Sequence, residues 1–478
     1  MHVDSQGSIL PLPDAHSTIF PVLTLPNAPV DSSPTRQPQE SATKLSQIAY
    51  FETFVHRLLA FTSLPVDLLI PPYSISLPPI QDQSQPSRIG KIAMHPELPV
   101  VALSQAQSGG SIFLFDLRTN AYLKYKLTLP SAHLVNCLAF SKYNCLAAGT
   151  SKGDVLLFDL DLSIKASAGS KPSNINVIPS LVSLIPPQFP SLSLLGEVSS
   201  LSFDHISGRY LAITTTRSGT WVHDTIYSSS TRLSKYPSSF VTFSPTEDLI
   251  AIARERTGEI EVYTLIRAGM LSFSVPTVVS SSVKSAVVCM QWLSDGKSLL
   301  CSNDGNAGMR ILHAESQLES SGPPGMRTLH WETDLLVVKV IGDLATPLRV
   351  TASDSIPYGG VPTGFAVDKT FTRLVVSYSK SPLLEVFALR DIGEGDIPSI
   401  GLIRGPMTGK SVTDKSRGKR LEGQSPFEDS SWDRSVCVDL GFVGQALGGK
   451  NSLFASAWNG ETGGKLSFVA FYLGDLSM

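Results

Sequence analysis

From residue 89 onward the chain keeps one rhythm. A short run alternates apolar and polar positions, a polar turn follows, then a run rich in Ala, Leu and Val, a Gly/Asp/Asn turn, and a third run closing on an aromatic or similar residue. The second unit shows it plainly: VNCLAF (135–140), the turn SKYN, CLAAGT (145–150), the turn SKGD, and VLLFDL (155–160). Period-two alternation punctuated by turn residues predicts antiparallel β-structure. The unit recurs over 89–117, 198–224, 239–265, 287–313, 364–389 and 435–473, which with 135–160 makes seven.

The third runs reach their aromatic or equivalent near 115, 158, 223, 263, 312, 387 and 471, and several of these intervals match the roughly 40–45 residues of a WD40 blade. The longer intervals carry insertions: a Ser/Pro/Leu loop at 163–195, the segment 314–363 with an expected outer strand LLVVKV (335–340), and a polar, partly basic stretch at 404–433. A single small sheet cannot cover both of its faces, whereas sheets stacked radially cover one another and leave only short edges. The expected fold is all-β: a seven-bladed WD40-type β-propeller over 89–473.

Ahead of the ring the pattern differs. Residues 1–40 are rich in Pro, Ser and Asp, with one apolar island, IFPVLTL (19–25), and read as an extended arm. Ser41 offers an N-cap, and Leu45, Ile48, Phe51, Val55 and Leu58, with Phe54 beside them, recur at helical spacing. An amphipathic helix is expected over 41–64, ended by Pro65 and followed by a linker over 65–88. Its apolar stripe either covers the propeller's own side or docks in a partner's groove, which makes these six residues candidate partner-binding positions. The basic run Lys410, Lys415, Arg417, Lys419 and Arg420 is either a solvated loop or a nuclear-import or acidic-surface contact.

Composition narrows the function classes. Charged residues make up 17% of the chain, below the roughly 25% of an average soluble protein, and the formal charge is −3. That is not the clustered, strongly basic footprint of a nucleic-acid binder. The five cysteines, Cys137, Cys145, Cys289, Cys301 and Cys437, are odd in number, lack C-x-x-C spacing and sit in strand-like runs, so buried free thiols are expected. No apolar run is long enough to span a bilayer, and the N-terminus lacks a signal-peptide pattern, so a soluble intracellular protein is expected.

Three patterns invite a catalytic reading and fail on context. Gly149-Thr150-Ser151-Lys152-Gly153 fits G-x-S-x-G, but a nucleophile elbow needs a helix after the turn and here another strand follows. The stretch 444–451 approaches a P-loop, yet Asn451 replaces the magnesium-binding hydroxyl and SLFASAW reads as strand, leaving no helix N-terminus for a phosphate. His95, His133, His205, His223 and His313 lie in or beside strands without metal-ligand spacing, and hydrogen bonds within their own sheets are expected. No catalytic residue, metal ligand or cofactor is predicted.

The order of several stretches resembles the aladin family of WD-repeat nucleoporins. They are FPVLTLP (20–26), then FETFVHRLLAFTSL (51–64) leading to IGKIAMHPELPVVALS with Met94-His95-Pro96, then YLKYKL (122–127), IPSIGLIRGP (397–406), and finally VDLGFVGQALGGKNSLFASAWNGETGGKLSFVAFYL. In the last of these, Leu453, Phe454, Trp458, Gly464 and Tyr472 carry the likeness. The resemblance implies a non-enzymatic scaffold subunit of the nuclear pore complex at the nuclear envelope, supporting nucleocytoplasmic transport. It further implies other nucleoporins as partners, among them a transmembrane pore-membrane nucleoporin; that no nucleic acid is contacted directly is expected from the charge pattern above. The alternatives are a generic WD40 adaptor in ubiquitin ligation, trafficking or chromatin assembly, cytoplasmic in that case, and an enzyme with a polar cluster in the propeller channel.

Overall fold

A computed structural model describes three short strands within the first twenty residues and most of the chain from 88 to 472. Residues 21–87, 163–174, 183–195, 319–326, 339–347, 406–435, 444–450 and 473–478, with some shorter loop stretches, lie outside that description. The expected helix over 41–64 therefore falls outside the described residues.

In each repeat the first three strands pair antiparallel in chain order. In the third blade Val198–Phe203, Tyr210–Thr215, Gly219–Asp224 and Ser229–Ser234 pair successively. The first strands of the seven sheets are Ile89–Met94, Val135–Phe140, Val198–Phe203, Ser238–Phe243, Val287–Trp292, Pro362–Val367 and Val436–Val443. Each lies beside the next, and the seventh lies beside the first. The chain is thus a closed, seven-bladed, all-β propeller, the fold class expected from its hydrophobic pattern.

Alternation along the second strands explains the packing. Leu146 and Ala148 join a cluster with Ala93, Ile112 and Leu114 of the first blade, while Ala147 between them joins Val198, Leu211 and Ile213 of the third. A strand points successive side chains to opposite faces, so one six-residue run serves two interfaces. Among the described residues there are seven such clusters, each shared by two adjacent blades, including one between the seventh and the first. The core is therefore a wheel of interfaces rather than a single centre.

All seven first strands also carry a register shift near their start, such as Val135/Cys137, Val198/Ser200 and Cys437/Asp439. An extra residue there increases local twist, which lets each sheet turn away from its neighbour as it leaves the axis.

The seam between the last and first blades is stitched by side chains. Asn459 receives the Ile89 N–H on Oδ1 at 2.8 Å and donates Nδ2 to the Ile89 carbonyl at 2.7 Å. Asp439 accepts the Ile92 N–H at 3.0 Å and its neighbour Leu440's N–H, also at 3.0 Å. Burial raises the Asp439 carboxyl's pKa, with the nearby Lys91 charge and these amides opposing the rise. Phe115 and Phe468 stack across the same seam, centroids 6.3 Å apart. Gly464 packs so tightly against Ile89 that a Cβ there would fall 2.6 Å from the Ile89 nitrogen.

The outer edges depart most from the sequence reading. Within 163–195, read as a loop, Ser180–Val182 forms the outer strand of the second blade, and Ile175–Asn176 pairs in parallel with Tyr125–Lys126 of the first. Of the expected outer strand at 335–340, residues 335–338 close a longer one, Arg327–Val338, paired antiparallel with Met309–Leu318, and 339–340 lie outside the described residues. The arm is not merely extended: Thr18–Phe20 adds to the sixth blade, parallel to Ser399–Arg404. Short edge strands are specified by backbone pairing more than by side-chain alternation, which is why the pattern does not reveal them.

Candidate functional site

Chain direction sorts the turns onto two faces. Links between first and second strands, and between third and fourth, lie on one face. Links between second and third strands, and the crossings from blade to blade, lie on the other.

On the first face, blades two and three present an aromatic and aliphatic patch. Tyr143 is 65% exposed, Ile226 67% and Tyr227 74%. The patch is held from below. Arg209 forks onto Asp224, donating Nε to Oδ1 at 2.8 Å and Nη2 to Oδ2. Its guanidinium stacks on Tyr227 at 4.7 Å and on Tyr210 at 5.0 Å. Burial alone would raise the Asp224 pKa, but the Arg209 hydrogen bond and the Ile226 and Tyr227 amides outweigh it and hold the carboxyl below its usual range. Lys142 donates to the Ile206 carbonyl and ties the two blades together.

On the second face, the crossing from blade three to blade four forms a cationic and aromatic corner. Arg232 donates Nη2 to the carbonyls of Ser218 at 2.7 Å and Lys235 at 3.4 Å, and its guanidinium lies 5.6 Å from the Trp221 ring. Arg254 lies 4.1 Å over Tyr236, which Lys235 approaches at 5.5 Å. Buried Glu261 fixes Arg254 through bonds of 2.6 and 3.0 Å and in turn accepts the Tyr263 hydroxyl at 3.0 Å. Glu259 takes the other side of the same guanidinium. The turn carrying Arg256 is fastened beside this corner by the Glu255 N–H bond to the Pro237 carbonyl at 3.0 Å.

The motifs set aside above sit as turns and strands. Gly149 and Thr150 end one strand, Val155 begins the next, and Gly153, at φ 89°, makes the turn between them. Of the P-loop-like stretch, Asn451 opens the strand Asn451–Gly460, and 444–450 lie outside the described residues. His133 bonds Asp154 at 2.7 Å within its own blade, and His223 bonds Ser230 at 2.9 Å within its own. His95 accepts the N–H groups of Glu97 and Leu98 on Nδ1, so Nε2 carries the proton toward Asn144 Oδ1 at 3.0 Å in the next blade.

None of the five cysteines forms a disulfide. Cys289, Cys301 and Cys437 are buried, whereas Cys137 and Cys145 are half-buried rather than enclosed as expected, one on an innermost strand and the other opening its strand beside an exposed turn. Burial pushes the thiols of Cys137 and Cys145 up to about 12 and raises those of Cys289 and Cys437 further. A thiol so far above neutrality carries almost no thiolate, the form that attacks. Among the described residues no group of His, Cys, Asp or Glu is arranged to hold a metal, and no helix is long and apolar enough to cross a membrane.

The sequence-predicted site residues Leu45, Ile48, Phe51, Phe54, Val55 and Leu58, and the basic set Lys410, Lys415, Arg417, Lys419 and Arg420, all fall outside the described residues. Neither turn surface was among the sequence candidates. The available signal for the corner was three arginines and a lysine between 232 and 256, interleaved with aromatics.

No protein-family model matches the chain, and no curated protein matches it. Among solved structures, the C-terminal WD40 domain of Sif2 is similar at a TM-score of 0.45 and 13% identity, over 80% of this chain and 96% of that one.

Proposed function

We propose that this chain is a non-enzymatic, WD40-type docking scaffold, and that its place is the nuclear pore complex, as an aladin-like subunit at the nuclear envelope. The observation that carries the scaffold reading is the closed ring itself. Its first strands are used up against one another, leaving ordered turn surfaces, one aromatic and one cationic, on opposite faces. Rigid surfaces of this kind bind at low ordering cost, and two linked contacts bind far more tightly than either alone. The absence of catalysis is supported by thiols held far from ionisation and by an Asp439 whose two oxygens are engaged by backbone amides at the seam.

What supports the pore assignment is where the resembling stretches fall. IPSIGLIRGP contains the strand Ser399–Arg404, against which Thr18–Phe20 pairs, Phe20 opposite Ile403. The C-terminal stretch supplies Asp439, Asn459 and Gly464, all of which hold the IGKIAM strand of the first blade. Of FPVLTLP only Phe20 is among the described residues; through it, and through the meeting of the last and first blades, residues of four distant stretches come together in two pairs. Partners in this reading are other nucleoporins, including one that spans the pore membrane, reached through the ring and the 41–64 segment.

A fluorescently tagged full-length chain tests the assignment: a nuclear-rim signal, with pore-membrane proteins dominating proximity labelling, is expected. A diffuse cytosolic signal whose labelled neighbours belong to ubiquitin-ligation or trafficking complexes overturns it in favour of a generic adaptor. Deleting 41–64 asks a further question of the same cells, and loss of the rim signal with an intact ring assigns that segment to docking.

A further inference from the structure

We infer that the cationic corner between blades three and four is a docking site for an acidic peptide segment of a partner protein, one that sets carboxylates on Lys235, Arg232 and Arg256 and an apolar side chain beside Tyr236 and Trp221. This deepens the scaffold reading and rests on it. The argument starts from charge. The chain is net negative by three, yet this corner gathers four cations within two strand ends and two turns. Glu259 and Glu261 neutralise Arg254. Arg232, Lys235 and Arg256 have no carboxylate partner in a salt bridge among the described residues.

Two of the cations, Arg232 and Arg254, are also pre-arranged. Arg232 is pinned by two backbone carbonyls, both bonded through Nη2, which leaves the donors of Nε and Nη1 for a partner. Arg254, locked by Glu261, in turn positions the Tyr236 ring. At Arg232 a partner carboxylate therefore meets a donor whose rotamer entropy is already largely spent, and charge-assisted hydrogen bonds are about twice as strong as neutral ones. Tyr236, 42% exposed, offers an amphipathic surface beside the charges, the combination that anchors interface hot spots.

The same features argue against a nucleic acid. The corner is compact, its turn carries Glu255 and Glu259 beside the cations, and the chain as a whole repels a long polyanion. Phosphate-backbone binders instead run cations along an extended track.

The test uses the purified full-length chain and fluorescence anisotropy with a short fluorescein-labelled peptide of Glu, Asp and Leu. The expected results are saturable binding that weakens as salt rises, at least tenfold weaker binding in the double variant Lys235→Glu/Arg256→Glu, and unchanged binding in Lys297→Glu, in the link between the first two strands of blade five on the opposite face. Tyr236→Ala, which alters no charge, is expected to weaken binding severalfold. The proposal is overturned if the acidic peptide binds no better than its Gln/Asn counterpart, if the double variant binds it as well as the parent, or if single-stranded RNA of equal length binds more tightly. The measurement is independent of cellular location, so its failure leaves the pore assignment standing, and failure of that assignment leaves this site standing.

Discussion

Replacing Asn459 by Ala removes the clamp between the last blade and the first. The side chain makes two bonds to one residue, 2.8 Å to the Ile89 N–H and 2.7 Å to its carbonyl, and Ile89 is only 1% exposed. Without Asn459 both backbone groups are left buried, and an unsatisfied buried group costs about 1–3 kcal/mol. The seam is partly open at its rim, so a loss of about 2–4 kcal/mol is expected. Asn459→Asp is expected to lose as much, because the acceptor for the Ile89 N–H survives while a carboxylate oxygen now faces the Ile89 carbonyl. Urea unfolding followed by tryptophan fluorescence measures this: the midpoint should fall with the slope unchanged. A variant within about 0.5 kcal/mol of the parent, the range of an ordinary surface substitution, would refute the claim that this side chain closes the ring.

Three further outcomes follow from the packing. Phe158, fully buried between blades one and two, should cost about 3–5 kcal/mol as Phe158→Ala by the cavity it leaves, read from the same urea curves. A Cβ at Gly149 would lie 2.5 Å from Val198 Cγ1 and 2.6 Å from Cys137 Sγ, so Gly149→Ala should destabilise by about 1–3 kcal/mol through overpacking. Burial holds the His223 pKa below its usual 6.5, against the pull of Asp224. The unfolded chain therefore takes up this proton first as pH falls, and the stability His223 contributes above pH 6.5 is lost as pH drops through its lower folded value. His223→Gln should flatten that part of a thermal-melting profile, and an unaltered profile would remove His223 from it.

The ring was legible because its inner strands obey strict alternation under burial on both faces: Leu146 and Ala148 serve one interface and Ala147 the next. The outer strands were not, since they need only backbone pairing. Ser229–Ser234 buries one residue of six, and Ser180–Val182 sits in a stretch whose composition reads as loop. The bulges at the start of each inner strand leave no mark that separates them from ordinary alternation. The seam residues Asp439 and Asn459 find partners 347 and 370 positions away, and in sequence Asn459-Gly460 reads only as a turn. The two turn surfaces were illegible for a related reason. Arg232 meets Trp221 because their strands pair, and Arg254 meets Tyr236 because two blades adjoin. No local pattern encodes either meeting.

Amide hydrogen exchange at Ile89 and Ile92 tests ring closure most directly. Their N–H groups are held by Asn459 and Asp439 of the last blade, so they should exchange as slowly as amides of the mid-ring strand Tyr210–Thr215. Exchange at the rate of an open, solvated strand edge, with the mid-ring amides still protected, would mean that the seventh blade does not meet the first.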